Sequence, residues 1–452
     1  MEALTGNLKN NQPRTHDTLG QERALLVGVL LPDSRRDVQD PLGELRSLAQ
    51  TAGALVVDEM IARRQKLTPA LYVGSGKAQE IADRARQNDV DAVIFDNDLS
   101  PAQVRDLEEV VGRKVLDRSE VILDIFAAHA RTTEARLQVE LAQLEYTYPR
   151  LRHMWSHLER IAGGATGAAA SVGGIGTRGP GEKQIEIDRR LVQKRVSELK
   201  KRIAVVDRRK QRLVASREEH FLACLVGYTN AGKSTLMNLL TGAGAYVADK
   251  LFATLDTKTR RWNLGGGQHV LLSDTVGFVR NLPHHLVASF RATLEEAIGA
   301  NLLLHVADAS HPQAREQIEA VDGVLAELGL KDKDRLLVLN KVDRLADPAQ
   351  RTILTGRYPQ AIFVSAATGE NAQLLIEVVG ERARRLQAEV TLEASAANGR
   401  LMHYLAQHAR MRQVEYKGDW MRFKANLNPR HLEGLKQFGD DVRVVDEERS
   451  ES

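Results

Sequence analysis

Eight residues, GYTNAGKS from Gly227 to Ser234, constrain this chain more than any other stretch of it. They fit GxxxxGK[ST], a loop whose backbone N–H groups wrap a phosphate chain while the lysine reaches its outer phosphates and the hydroxyl binds Mg²⁺. Such a loop works only between a strand and a helix. FLACLV before it is an apolar run of buried-strand type, and STLMNLLTG after it reads as a helix closed by Gly242. Phosphates would then lie at a helix N-terminus, where unpaired N–H groups and the helix dipole favour anions. The setting implied is a doubly wound α/β domain with its ligand at the carboxyl ends of the strands. A glycine turn that matches by accident is the competing reading, and the motifs further along the chain bear on it.

With 452 residues the chain is too long for one core and suggests roughly three domains. Its 43% apolar and 27% charged residues are ordinary for a globular protein. No run approaches the ~20 apolar residues of a membrane span, and residues 1–20 are polar, without the apolar centre of a signal peptide. The one cysteine, Cys224, lies in the apolar strand before the phosphate loop, so a buried thiol and no disulfide within the chain are expected. We expect a soluble, cytoplasmic protein, monomeric and without stable membrane insertion.

Residues 21–132 read as a small parallel α/β domain. ALLVGVLL, ALVVDEM and VDAVIFDN are strand-like, and ELRSLAQTAG, KAQEIADRARQ and PAQVRDLEEVVG are helical between and after them. Ser100 and Pro101 suit the N-cap and first position of the last helix. Within this part GSGK, Gly74 to Lys77, invites a second phosphate-loop reading, but Leu71 stands where the first glycine belongs and Ala78 follows the lysine. A turn opening a helix fits better.

Between 133 and 217 the pattern changes to helical seams. Leu137, Leu141, Leu144, Tyr148, Leu151, Trp155, Leu158 and Ala162 recur at alternating spacings of four and three. Pro149 sits inside this seam and is expected to kink or break the helix near Tyr148. A second seam runs through Ile185, Val192, Leu199, Val206 and Leu213, helped by Val196 and Ile203. An antiparallel helical hairpin follows, with residues 163–181 as its tip. Eight glycines in those nineteen residues cannot bury enough apolar area to order the tip alone. It is either slack or a probe that orders against a partner. From Asp188 to Arg217 there are twelve Lys/Arg against three Asp/Glu, an excess of nine that suits a solvated face or a polyanion such as RNA.

LAQLEYTYPRLRHMWSHLERIAGG followed by GGIGTRGPGEKQIEIDRR, shortly ahead of a phosphate loop, resembles the signature of the HflX family of translational GTPases. The likeness runs from about residue 21 to 388, with one departure: Lys183 and Ile185 occupy the Thr and Leu places of the family's GPGETQLE. It implies GTP hydrolysis with Mg²⁺, binding to the large ribosomal subunit and its RNA, and a role in dissociating or rescuing ribosomes under stress. Arg178, Lys183, Arg189, Arg190, Lys194 and Arg195 are the RNA-facing candidates.

The nucleotide site can be taken residue by residue. Gly227, Tyr228, Thr229, Asn230, Ala231, Gly232, Lys233, Ser234 and Thr235 form the phosphate loop, with Lys233 catalytic and Ser234 on the metal. Phe252, Ala253, Thr254, Leu255 and Asp256 match the family's switch pattern, which places Thr254 on the Mg²⁺ and the γ-phosphate, with Thr257 as fallback. LLSDTVGF is a strand ending in DxxG. Asp274 would hold Mg²⁺ through water, Thr275 and Val276 follow, and the Gly277 N–H would read the γ-phosphate. Many GTPases next place a Gln that orients the attacking water, whereas this chain has Phe278. An apolar ring cannot hydrogen-bond water and is free to swing away, so slow turnover alone is expected. In NKVD, Asp343 suits guanine's two donors, Asn340 bridges to the loop, Lys341 packs over the base, and Val342 lies between them. Ser365, Ala366 and Ala367 would bring backbone to guanine O6. With these motifs, 218–388 reads as a guanine nucleotide domain for GTP and GDP.

Residues 389–452 read as a small α+β domain of strand, helix, two strands and helix, ending in a disordered acidic tail, DEERSES. Two other classes compete with the GTPase switch. A tRNA-modification or metabolic enzyme that uses GTP as a control input would need further catalytic groups, such as a metal cluster of Cys and His, and none is evident with one Cys and histidines scattered without ligand spacing. A GTP-binding scaffold with little intrinsic hydrolysis is the alternative that Phe278 keeps open.

Overall fold

The computed structural model describes residues 22–32, 39–164, 190–206, 221–242, 251–252, 257–265, 268–280, 296–385, 388–427 and 429–448. Strands β1 (Arg23–Leu30), β2 (Leu55–Arg63), β3 (Ala92–Phe95) and β4 (Lys114–Asp117) make a parallel sheet in the order β2-β1-β3-β4. Helices α1 (Gly43–Thr51), α2 (Ser75–Gln87), α3 (Pro101–Val111) and α4 (Arg118–His129) cover its two faces. Along β1, Leu25 and Val27 enter the core with α2 and α3, while Ala24 and Leu26 enter the core with α1 and α4. Burial on both faces explains why this strand reads as a continuous apolar run. At Ser100 the capping is reciprocal: its hydroxyl accepts from the Gln103 N–H, and the Gln103 side chain accepts from the Ser100 N–H. Gly74 precedes α2 at φ 58°, so GSGK is a helix-opening turn. The sequence reading did not list β4 or α4.

Helix α5 (Thr133–Gly164) passes Pro149 without a break, which corrects the expectation of an interruption near Tyr148. Proline removes one N–H donor, and the helix continues through several hydrogen-bonded turns on either side. A second helix, α6, spans 190–206. The two seams meet: Leu137, Leu141 and Leu199 are buried together, with Leu144, Val196 and Ile203 packed on them. The tip beyond residue 164 lies outside the described residues.

The phosphate loop belongs to a six-stranded sheet. β5 (Leu222–Gly227), β6 (Lys258–Gly265), β7 (Gln268–Asp274), β8 (Leu302–Asp308), β9 (Arg335–Asn340) and β10 (Ile362–Phe363) take the order β10-β9-β8-β5-β7-β6. All pair in parallel except β6, which runs antiparallel to β7. Helix α7 (Lys233–Thr241) follows the loop and packs Leu236, Met237 and Leu240 into the core. This is a doubly wound P-loop fold with the sequence motifs at the carboxyl ends of β5, β7, β9 and β10.

A third sheet, antiparallel, closes the chain: β11 (Ala388–Ser395), β12 (Arg410–Lys417), β13 (Trp420–Leu427) and β14 (Val442–Glu448), in the order β12-β13-β11-β14. Helices Gly399–His408 and Pro429–Gly434 complete a βαββαβ unit. β14 corrects the sequence reading, which assigned Asp446, Glu447 and Glu448 to a disordered tail. The pairing of Val442 with Ala394 and of Val444 with Leu392 brings those acidic residues along as an edge strand.

Candidate nucleotide site

Backbone geometry requires glycine at the loop's tight points. Gly227 leaves β5 at φ 150°, where a Cβ would lie 2.1 Å from the Val306 carbonyl oxygen on β8. Gly232 opens α7 at φ 90°, where a Cβ would lie 2.3 Å from Asn340 Nδ2. Asn230 also has positive φ, at 58°, which Asn tolerates better than most residues.

Lys233 is buried and folds back over the loop, its Nζ donating to the carbonyls of Gly227 (3.1 Å) and Tyr228 (2.8 Å). Burial pushes its ammonium pKa down to about 8, against the pull of the Asp274 carboxylate. Ser234 Oγ donates to Asp274 Oδ2 at 2.6 Å, so the first turn of α7 and the end of β7 share one oxygen cluster. Hydroxyl and carboxylate are the hard ligands Mg²⁺ takes, with phosphate and water completing its shell. No group of three or more His, Cys, Asp and Glu able to hold a metal occurs among the described residues. Gly277 closes over the same place, where a Cβ would meet Thr229 Cα at 2.8 Å and Lys233 Nζ at 2.9 Å. Thr229 Oγ1 is buried there with no hydrogen-bond partner among the described residues. A polyanion entering this corner would meet a lysine, a helix N-terminus and an unused hydroxyl. Thr275, the next residue in DxxG, is structural in its contacts, its hydroxyl donating to the Leu225 carbonyl at 2.7 Å.

At the other end of the site Asn340 joins three segments. Its Nδ2 donates to the Ala231 carbonyl at 2.8 Å, and its Oδ1 accepts from the Ala366 N–H at 2.9 Å. Lys341 has φ 64°, and its Nζ is held by Asp308 Oδ2 at 2.8 Å, a contact the sequence reading missed. Asp343 is exposed, with one oxygen accepting from the buried Ser365 hydroxyl at 2.6 Å. Val342 is buried and Ala367 exposed.

The switch residues divide. Ala253, Thr254, Leu255 and Asp256 lie outside the described residues, and Thr257 is half-buried beside β6. Phe252 turns away from the phosphate loop: its ring meets Phe126 of α4 edge-on at 4.6 Å and is buried in the α1/α4 core together with Leu251, Val276 and Val279. Phe278, expected to swing free, is instead only 3% exposed and packs with Cys224, Val226, Tyr228 and Ala297. Its backbone stitches DxxG to the loop, donating to Gly227 O (3.1 Å) and accepting from the Thr229 N–H (2.7 Å). Both bonds hold the ring in the sheet rather than in solvent.

One cluster was not foreseen. Glu44, in the first turn of α1, accepts from Tyr228 Oη (2.7 Å) and Arg118 Nη2 (2.6 Å) and pairs with Arg280 Nη2 (3.3 Å). The Arg280 N–H donates to Tyr228 Oη at 2.7 Å, and Arg118 also binds Asp96 at 2.7 Å. Burial opposes the Glu44 carboxylate, but the Arg118 and Arg280 guanidiniums outweigh it and hold the carboxyl below its ordinary range. Among the RNA candidates, Arg178, Lys183 and Arg189 lie outside the described residues. Arg190 and Lys194 are exposed on α6, and Arg195 binds Glu140 at 2.6 Å.

Comparison with known proteins matches three consecutive family descriptions: "GTP-binding GTPase N-terminal" over residues 39–127, "GTP-binding GTPase Middle Region" over 129–217 and "50S ribosome-binding GTPase" over 222–341. A GTPase HflX from Lacrimispora saccharolytica is 42% identical over 401 residues, covering 88% of this chain and 92% of that protein. A GTPase HflX from Magnetococcus marinus is 42% identical, covering 92% and 94%. One from Escherichia coli is 43% identical, covering 84% and 87%.

Proposed function

The chain belongs to the HflX family of GTPases, and from that premise we propose a GTP-driven switch that associates with the large ribosomal subunit and dissociates or rescues ribosomes under stress. The observation that carries the nucleotide half is the meeting of Lys233, Ser234, Asp274 and Gly277 at one corner, with Asn340 linking the loop at Ala231 to Ala366, next to the hydrogen-bonded Ser365 and Asp343. In this reading the loop N–H groups from Gly227 to Thr235 and the Lys233 ammonium bind the phosphates. Ser234 and Thr254 would hold Mg²⁺ directly and Asp274 through water, and the ion when bound would neutralise charge developing on the phosphates. The Gly277 N–H donates to the γ-phosphate. Asp343 accepts from guanine N1–H and N2–H₂, a donor pair adenine lacks, and Ser365 holds the carboxylate in place.

Water positioning is the weak step. Phe278 has no hydrogen-bonding group and its ring is buried, so the orienting element comes from a switch or from the partner. A partner that supplies a charge-stabilising group in trans is worth on the order of 10³–10⁵ in rate. Turnover is therefore slow alone and stimulated by ribosomes. The basic stretch around α6, with Arg178, Lys183, Arg189, Arg190, Lys194 and Arg195, would meet ribosomal RNA. The buried Phe278 ring also favours a second reading, a GTP-dependent scaffold with little hydrolysis of its own.

Co-sedimentation with large ribosomal subunits in GDP and in a non-hydrolysable GTP analogue tests the proposal. Retention with the analogue and release with GDP are expected. Equal retention in both, or none in either, counts against the switch.

A further inference from the structure

The open face of the C-terminal sheet lies beyond the family regions matched at 39–341, and its chemistry is legible from register. Alternation sends Val390, Leu392 and Ala394 of β11 and Met421, Phe423 and Ala425 of β13 into the core under the two helices. The residues between them stand on the opposite face in cross-strand rows. Lys417 pairs with Trp420 and Trp420 with Ser395. Glu415 pairs with Arg422, Arg422 with Glu393, and Glu393 with Arg443. Arg412 pairs with Lys424 and Lys424 with Thr391, whose other neighbour is Asp446 on β14.

The middle row alternates in sign and is neutral as a whole. The other two place their cations over β12 and β13, on either side of it. Arg412, Lys417 and Arg422 are exposed, Lys424 is half-buried, and none of the four forms an ion pair among the described residues. Trp420 lies half-buried at the end of this cationic strip, with the Arg443 guanidinium 5.4 Å from its ring centroid.

Cations alone would suit any polyanion. A half-buried tryptophan whose ring already takes a guanidinium over its face suits a flat π-system. Duplex RNA keeps its bases stacked inside and offers phosphates and 2′-hydroxyls, whereas a single strand splays bases that stack on aromatic side chains. An acidic protein would use the cations and leave the indole without a role. We propose that the β12–β13 half of this face binds single-stranded RNA, its backbone along Arg412, Lys424 and Lys417 and one base on Trp420. The inference is independent of the nucleotide site and of the α6 cations.

The test uses the full chain carrying Arg190→Ala and Lys194→Ala, so that α6 does not mask the signal, with a fluorescein-labelled 12-nucleotide uridine strand followed by anisotropy across a KCl series. Arg412→Ala with Lys424→Ala should weaken binding about tenfold or more and flatten the slope of log K against log salt by about 1.4, two phosphates at ~0.7 each. Trp420→Ala should cost on the order of tenfold and Trp420→Phe much less, since a smaller ring still stacks. Thermal midpoints and GTP affinity should stay at the parent's values. If Trp420→Ala fails to fold, Trp420→Phe and the cation pair still decide. Losses under about threefold with an unchanged slope overturn the proposal. So does equally tight binding of a blunt duplex lost in the same variants, or displacement of the strand by a glutamate-rich peptide at equal charge.

Discussion

The phenol of Tyr228, second residue of the phosphate loop, donates a 2.7 Å hydrogen bond to the carboxylate of Glu44 in the N-terminal domain. The same oxygen accepts from the Arg280 N–H, three residues past Gly277. One hydroxyl thus ties the loop, the segment after DxxG and the neighbouring domain together. Tyr228→Phe should cost about 1–3 kcal/mol, because Glu44 loses a donor and the Arg280 N–H keeps only its longer, 3.3 Å bond to Glu44. Urea midpoints at constant m measure this. A double-mutant cycle with Glu44→Gln should give a coupling of about 0.5–3 kcal/mol. Strictly additive losses would mean that the contact is not made in solution.

Base choice rests on Asp343. Asp343→Asn should weaken GTP binding at least tenfold, since an amide cannot accept from both guanine donors, and raise relative affinity for xanthosine triphosphate. Ser365→Ala should give a smaller loss in the same direction, through the freed carboxylate. Competition binding with the two triphosphates reads both, and unchanged GTP affinity in Asp343→Asn would move base recognition elsewhere.

Phe278 separates stability from chemistry. Removing its ring from the core should cost about 3–5 kcal/mol, while single-turnover hydrolysis at saturating GTP stays within a few-fold. Basal turnover of the parent chain near ~1 s⁻¹, or a collapse of chemistry in Phe278→Ala that still binds GTP, would contradict the slow-alone account.

His305 is buried on β8, and burial lowers its pKa below the usual 6.5, opposed by Asp322, 3.4 Å from Nδ1. The unfolded chain takes up this proton as pH falls through about 6.5, while the folded chain resists until lower pH. Stability is therefore full above that value and declines on acidification, by up to ~1.4 kcal/mol per unit within the window. Thermal midpoints between pH 7.5 and 5.5 should fall more steeply for the parent than for His305→Gln. Parallel slopes would show that the imidazole is not held neutral.

Much of the fold was legible because its signals are local. The Ser100 capping box and the glycines at 227 and 232 depend on a few adjacent residues, and each nucleotide motif ends or directly follows a strand whose apolar run announces it. What was hidden depends on surfaces distant in sequence. Glu44 reads as an unremarked acidic residue in a first turn, and only packing against Tyr228 and Arg280 gives it a role. Phe252 sits in a switch pattern, yet its ring is claimed by Phe126. The absence of an amide at Phe278 was plain, but the position of its ring follows from strand order. At Pro149 a local rule yielded to the length of the helix around it. The strand β14 was obscured because its charges lie on an edge, where water tolerates them.

Cys224, the single thiol of the chain, is fully buried in the strand that ends at the phosphate loop, and burial raises its pKa well above the usual value. Thiol reagents can reach it only when the central sheet parts. Its labelling rate is therefore a built-in clock for opening of this domain. A nucleotide that binds only the closed form must slow that clock by the factor 1 + [L]/Kd, so one cysteine reports occupancy with no added probe.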